Sequence, residues 1–414
     1  MKLHGACLFA QSGGPTAVIN ASAFGVLTAA LDTPEISNVY AAANGIWGVL
    51  NEEIYDINAE NSAELALLPG TPAAAFGSCR YKLKQPESNS HEYLQILEIF
   101  KKYNIRYFFY NGGNDSMDTC DKISRFFAQN DYECRVIGVP KSIDNDLCGT
   151  DHTPGFGSAA KYIAASIAEI CLENRVYDSE SVIIVETMGR HAGWLAGASA
   201  LAEISGAAPD LIYLPEVTFD MENFLRDVDS IVNERKRCLV VVSEGIKYAD
   251  GTFVAETPPL SGDKFGHAQL GGAAATLAAV VKNRICEKTR SIELSLLQRC
   301  AAHCISQTDL NEAINVGKFA VEQAVAGESG KMAAIQRASG KDYAAEYALS
   351  PLSTAANSEQ TVPRQWINAA ENYVTQEFIN YTLPLIQGEF FRAERGVPRF
   401  ARLKKIPPRQ KIEN

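Results

Sequence analysis

The 414-residue sequence carries no CxxC pair, no HExxH, no GxGxxG and no GxxxxGK[ST]. The first two absences remove the common thioredoxin-type, zinc-ribbon and zinc-protease spacings. The other two remove the dinucleotide fingerprint and the Walker loop, so a phosphate held here is held by some other glycine turn. No apolar run approaches about 18 residues, and no segment reads as a membrane-spanning helix. Cations are in short supply: 38 Lys and Arg stand against 49 Asp and Glu, a formal net charge of -11. That balance argues against nucleic-acid or membrane-surface partners, which recruit basic patches. An anionic ligand must therefore meet local arginines and lysines. The ten cysteines are scattered from Cys7 to Cys304 without a paired framework, as reduced thiols used in small core positions would be. In "CAAHC" at 300–304 a helix would bring Cys300 and Cys304 together around His303. Ordinary helix packing is the better reading, because no second ligand pair lies at metal-site spacing. The N-terminus has no basic leader with a cleavage site, which reads as a cytoplasmic protein.

What is present is a chain with 46% hydrophobic residues, long enough for two or three cores. Apolar strands near 5–10, 106–110, 135–139, 181–186 and 238–243 alternate with helix-length segments. Such alternation predicts an α/β architecture of parallel sheets with helices on both faces. "PGFGSAAKYIAASIAEICLENR" opens on turn residues and then keeps a helical rhythm, predicting a helix that passes from a first domain, 1–150, into a second, 151–335. Residues 336–414 are expected to form a helical extension packed back on the core. Its basic end, "RLKKIPPRQK", reads as a surface strap or a frayed terminus.

Ligands bind where the strands of a doubly wound sheet end, and four glycine-bearing ends draw attention. In "FAQSGGPTAVINAS", Gly13 and Gly14 precede a helix start whose amides are suited to a phosphate; an ordinary tight turn is an equal reading. "GSCRYKLK" places Arg80, Lys82 and Lys84 in a glycine-led loop, or on a solvated charged surface. "NGGNDSMD" follows Gly113 with Asn114 and then an anion, Asp115, which is unexpected in a phosphate loop. "GVPKSIDNDLCGT" sets Lys141 beside Asp144 and Asp146, a spacing that suits a general base and a metal ligand as well as an Asx-rich turn.

Together these stretches resemble the phosphofructokinase family over roughly residues 4–335. "SIDND" at 142–146 is similar to the family's TIDND loop, and Met188, Gly189 and Arg190 form its MGR. Glu244 in "VVVSEG" and Arg290 and Arg299 in "TRSIELSLLQR" match its sugar-site residues. The resemblance implies two doubly wound, mainly parallel-sheet domains with additional C-terminal helices. It implies a donor site of Gly13, Gly14, Arg80, Gly113 and Lys141, and an acceptor site of Ser142, Ile143, Met188, Gly189, Arg190, Glu244, Arg290, Leu296 and Arg299. Asp144 is then the base, with Asp146 orienting the acceptor or the metal shell, and Mg2+ the expected cofactor. Pyrophosphate-using members carry an aspartate at the position of Asp115 and a lysine at that of Lys141, where ATP users carry glycines. Two like charges about 4 Å apart repel by several kcal/mol at an effective dielectric near 20, so Asp115 is expected to exclude a nucleotide. The implied activity is reversible phosphoryl transfer from pyrophosphate to the 1-hydroxyl of fructose 6-phosphate, by a homo-oligomer. The nearest alternatives are an ATP-dependent kinase and an inactive sugar-phosphate-binding paralogue. Three departures stand out. Asn114 replaces an acidic Mg ligand, Leu296 replaces a polar sugar contact, and "FGHAQLGG", with His267 and Leu270, imitates a later pattern without its arginine.

Overall fold

The computed structural model describes residues 3–255, 272–340, 342–356 and 358–408. Two sheets organise them. The first begins with β1 (Gly5–Gln11), β2 (Ile36–Ala42), β3 (Ile54–Asp56), β4 (Ile105–Gly112) and β5 (Arg135–Pro140). The second holds β6 (Ser181–Thr187), β7 (Leu211–Tyr213), β8 (Arg237–Ser243) and β9 (Thr289–Glu293), all parallel, in the order β7-β8-β6-β9. Every residue of β1 and β6 is buried, as expected of strands covered on both faces. Helix Phe156–Asn174 carries the chain from one sheet to the other. Its start is capped by buried Asp309, which accepts from the amides of Gly155 at 2.8 Å and Ser158 at 2.9 Å.

The sequence placed 151–335 in a single second domain, and the structure divides it otherwise. After β10 (Ile305–Ser306), helix Gln307–Ala326 returns to the first lobe, where β11 (Lys331–Arg337) and β12 (Ala345–Pro351) extend the sheet to β12-β11-β5-β4-β1-β2-β3. The reason is packing. That helix lies against Ile19–Leu31 so closely that a Cβ on Gly25 would stand 2.1 Å from the Ile314 carbonyl oxygen, and one on Gly317 2.4 Å from that of Ser22. The segment expected to form a helical extension also contributes a strand, β12, and β13 (Glu389–Phe390) pairs with β10. Val362, Ile367, Val374, Phe378 and Leu385 enter the core beneath the second sheet. Beyond them the chain runs along 56–71: the Ala401 amide donates to Thr71 Oγ1, the Arg402 amide to Glu64 and the Lys404 amide to Glu60, at 2.7–2.9 Å. No helix among the described residues is long and apolar enough to cross a membrane.

Candidate active site

β1, β4 and β5 lie side by side, with Gln11 opposite Asn111 and Gly112 opposite Pro140, so the turns after them leave the sheet at one level. The chain passes from β1 to β2 on one side and returns to β4 on the other. Such a reversal opens a crevice at the carboxyl ends of the strands. Here it is a cleft of about 560 Å³, lined by Ser12, Gly13, Gly14, Cys79, Arg80, Tyr81, Gly113, Asn114, Asp115, Ser116, Lys141, Ser142, Asp144, Asp146 and Glu359.

Hydrogen bonds to the backbone lock the wall formed by Gly13 and Gly14. Gly13 sits at φ +78°, a conformation that L side chains rarely adopt. Its amide donates to the Cys79 carbonyl at 3.1 Å and its carbonyl accepts from Ser78 Oγ at 2.6 Å. Lys141 Nζ donates to the Gly14 carbonyl at 2.7 Å, and the Lys141 amide to that of Gly112 at 3.1 Å. Asp115 lies in the first turn of helix Asn114–Gln129, where the helix dipole favours an anion. Lys82 meets it at 3.0 Å, both side chains being about half exposed. That partner weakens the expected repulsion of a nucleotide, and leaves bulk as the larger part of any exclusion by Asp115.

The loop 142–146 turns through Asn145 in the left-handed region, φ +54°. Ser142 Oγ donates to Asp146 Oδ1 at 2.9 Å and accepts from the Asp144 amide at 3.1 Å. Asn145 points the other way: it accepts from the Thr153 amide at 3.0 Å and donates to Tyr381 Oη at 2.9 Å. Burial pushes the Asp144 carboxyl up to about 7, with Asp146 and Glu244 adding to the rise and Lys141 and Arg299 opposing it. Burial raises Asp146 too, against the Ser142 hydrogen bond. The Lys141 ammonium is brought down to about 8 by burial, although the two aspartates pull the other way. A carboxyl and an ammonium displaced toward neutrality in one cleft are arranged for proton and phosphoryl chemistry.

Across the cleft, Met188, Gly189 and Arg190 follow β6, and Glu244 follows β8. Glu244 accepts from the Gly189 amide at 3.4 Å, and burial raises its carboxyl pKa while Arg190 and Arg299 lower it. Arg299 joins the two sides. A Cβ on Gly14 would stand 3.1 Å from its Nη1, and its charge interacts with those of Arg80, Asp144 and Glu244.

A family model described as Phosphofructokinase matches residues 6–324. The chain belongs to the phosphofructokinase family. It is 45% identical over 417 residues to the pyrophosphate–fructose 6-phosphate 1-phosphotransferase of Halomonas elongata, spanning 100% of this chain and 99% of the relative. It is 46% identical over 385 residues to the enzyme of the same name from Methylococcus capsulatus, spanning 92% and 91%. The crystal structure of pyrophosphate-dependent phosphofructokinase from Marinobacter aquaeolei superposes with a TM-score of 0.88 at 42% identity, over 99% of this chain and 98% of that one.

Within this phosphofructokinase fold, not every expected residue reaches the cleft. The Ile143 side chain is buried in the core beneath the second sheet and does not line the cleft. Leu296 is 58% exposed, and Arg290 is exposed on β9, an edge strand of the second sheet. Cys300 and Cys304 do not share a helix, since the turn Leu297–Cys300 ends at Ala301. His267 and Leu270 lie outside the described residues. Sequence reasoning missed Asn145, whose partners are 8 and 236 positions away, and Glu359, which carries no motif at all. The αL-tolerant asparagine between two aspartates was a readable signal for the first; nothing local announced the second.

Proposed function

We propose that the chain transfers a phosphoryl group reversibly between pyrophosphate and the 1-hydroxyl of fructose 6-phosphate. The observation that carries this reading is Lys141, a buried cation bonded to the Gly13–Gly14 turn and facing Asp144, in a cleft whose helix entrance is occupied by Asp115. The names of the two relatives and of the Marinobacter structure point the same way. Asp144 removes the hydroxyl proton, Asp146 orients the acceptor, and Lys141 with Arg80 holds the donor while charge develops on the phosphoryl oxygens. Gly14 offers its backbone amide to the leaving phosphate, while the Gly13 amide, bonded to the Cys79 carbonyl, shapes the turn. Arg190 and Arg299 grip the sugar phosphate, and Glu244 accepts from a sugar hydroxyl.

Magnesium fits the residues present. Asn114 lines the cleft, its side-chain oxygen is buried without a hydrogen-bond partner, and Asp144 and Asp146 add hard oxygen donors. No group of three or more His, Cys, Asp or Glu among the described residues forms a dedicated cage, so the ion would be held by Asn114 and Asp146 together with donor phosphate and water. When bound it would neutralise charge on the pyrophosphate.

The deciding experiment offers the purified chain Mg2+ and fructose 6-phosphate with either pyrophosphate or ATP, and fructose 1,6-bisphosphate with phosphate. Product with pyrophosphate in both directions, and none with ATP, is expected. Turnover with ATP alone would assign the chain to the ATP users, and none with either donor to the inactive paralogues.

A further inference from the structure

The C-terminal stretch 359–362 touches both sides of the cleft. The Gln360 amide donates to the Asp146 carbonyl at 2.7 Å, and the Gln360 carbonyl accepts from Trp194 Nε1 at 2.9 Å. Glu359 pairs with His191, the residue after Arg190, at 2.9 Å. Three residues on, the Val362 amide donates to Glu216 Oε1 at 2.8 Å, and the same oxygen accepts from the Gly193 amide at 2.8 Å. His191 and Gly193 belong to the turn that begins with Met188, Gly189 and Arg190. Glu216 itself does not line the cleft. Its Oε2 is buried with no hydrogen-bond partner, and burial raises its carboxyl pKa against the two amides.

A carboxylate withdrawn from water is costly unless its bonds return the loss, and an apolar side chain would fill the same space without that cost. The bonds Glu216 does make run only to backbone, one to each of two segments far apart in sequence. We propose that Glu216 is a positioning residue for phosphoryl transfer. It ties the Arg190 turn to the strap 359–362, which is itself bonded to the loop bearing Asp144 and Asp146. Acceptor grip and general base are thereby held in one register, although the residue that sets it touches neither substrate. The inference rests on the assignment of Arg190 to the sugar phosphate.

Three variants of the full chain test it. Glu216→Leu removes both bonds; Val362→Pro removes the strap's donor and leaves Glu216 in place; Glu216→Gln keeps an acceptor oxygen. Glu216→Leu and Val362→Pro should each raise KM for fructose 6-phosphate by about 10-fold while KM for pyrophosphate stays within about 2-fold, and Glu216→Gln should stay close to the parent in both. Because KM does not depend on the fraction of folded enzyme, a purely structural role would leave it unmoved. Unchanged values, equal rises for both substrates, or Glu216→Gln as damaging as Glu216→Leu would overturn the proposal. Should Glu216→Leu fail to fold, the same criteria apply to Val362→Pro. Arg190→Ala separates the two readings. If it leaves KM for fructose 6-phosphate unchanged, the sugar-site assignment fails and the inference with it; if it raises that KM while the cross-link variants do not, only the inference fails.

Discussion

Burial moves the Asp144 and Lys141 protons in opposite senses, against the pair's own attraction, and sets a narrow working range. Asp144 acts as base only when ionised, so kcat/KM for pyrophosphate should climb as pH passes about 7. Lys141 holds the donor only when protonated, so the same quantity should fall as pH passes about 8. Since kcat/KM reports the free enzyme, these limbs belong to the unliganded cleft. Lys141→Arg, charged at every pH in the range, should abolish the upper limb. A profile flat from about pH 6 to 9 would remove both residues from their roles. Asp144→Asn keeps the volume and loses the base: kcat should drop by about 100-fold to 10,000-fold with KM little changed, measured by steady-state rates. At Asp115 the Lys82 ion pair makes charge and bulk separable. Asp115→Gly should raise kcat/KM for ATP by about 10-fold or more, whereas Asp115→Asn, which keeps the bulk, should not. Equal gains from both would restore charge as the gate, and no gain from either would place donor choice elsewhere.

At the level of elements, the site leans on a buried polar knot beside the 142–146 loop. His152 bonds Asp151 at 2.8 Å and Glu312 at 2.7 Å, and Arg337 reaches Asp151 at 3.1 Å and the Tyr381 carbonyl at 3.1 Å. Burial alone would lower the histidine, but the two carboxylates lift it to about 9. A group raised in the folded state stabilises fully below its unfolded pKa of about 6.5 and ceases to do so as pH rises through the folded value. Unfolding midpoints should therefore fall between about pH 7 and 9.5, and His152→Gln should flatten that decline. Legibility in the sequence followed burial. β1, β4, β5, β6 and β8 are nearly continuous apolar runs and were readable; β9 alternates irregularly at an exposed edge and β3 and β7 have three residues each, so they were not. The four glycine-bearing stretches that line the cleft were readable because each is local. The return of β11 to pair with β5 was not, since a parallel partner nearly two hundred positions away leaves no mark on its neighbours' composition. Glu359 and Glu216 were hidden for the same reason: their meaning lies in contacts, not spacing.

On the scale of the whole molecule, Arg290 stands exposed on an edge strand while Arg299 reaches the Gly14 turn. If Arg290 serves the sugar site of a second copy, each single variant, Arg290→Ala or Arg299→Ala, should raise KM for fructose 6-phosphate far more than KM for pyrophosphate. Refolding the two variants together should then regain up to about a quarter of the parental activity at low sugar phosphate, because half of the pairs are mixed and each mixed pair rebuilds one complete site. Recovery no better than the average of the two variants would confine both arginines to one chain.

The interleaving of the lobes also bears on how the polypeptide is made. A ribosome releases β1 to β5 early, but the neighbour that covers the open flank of β5 emerges only after the entire second sheet. Throughout that interval the nascent chain presents a bare parallel edge and an uncovered Ile19–Leu31 helix, the two features that invite misassociation. A chain ended before residue 351 should therefore aggregate rather than stand alone as a folded first lobe.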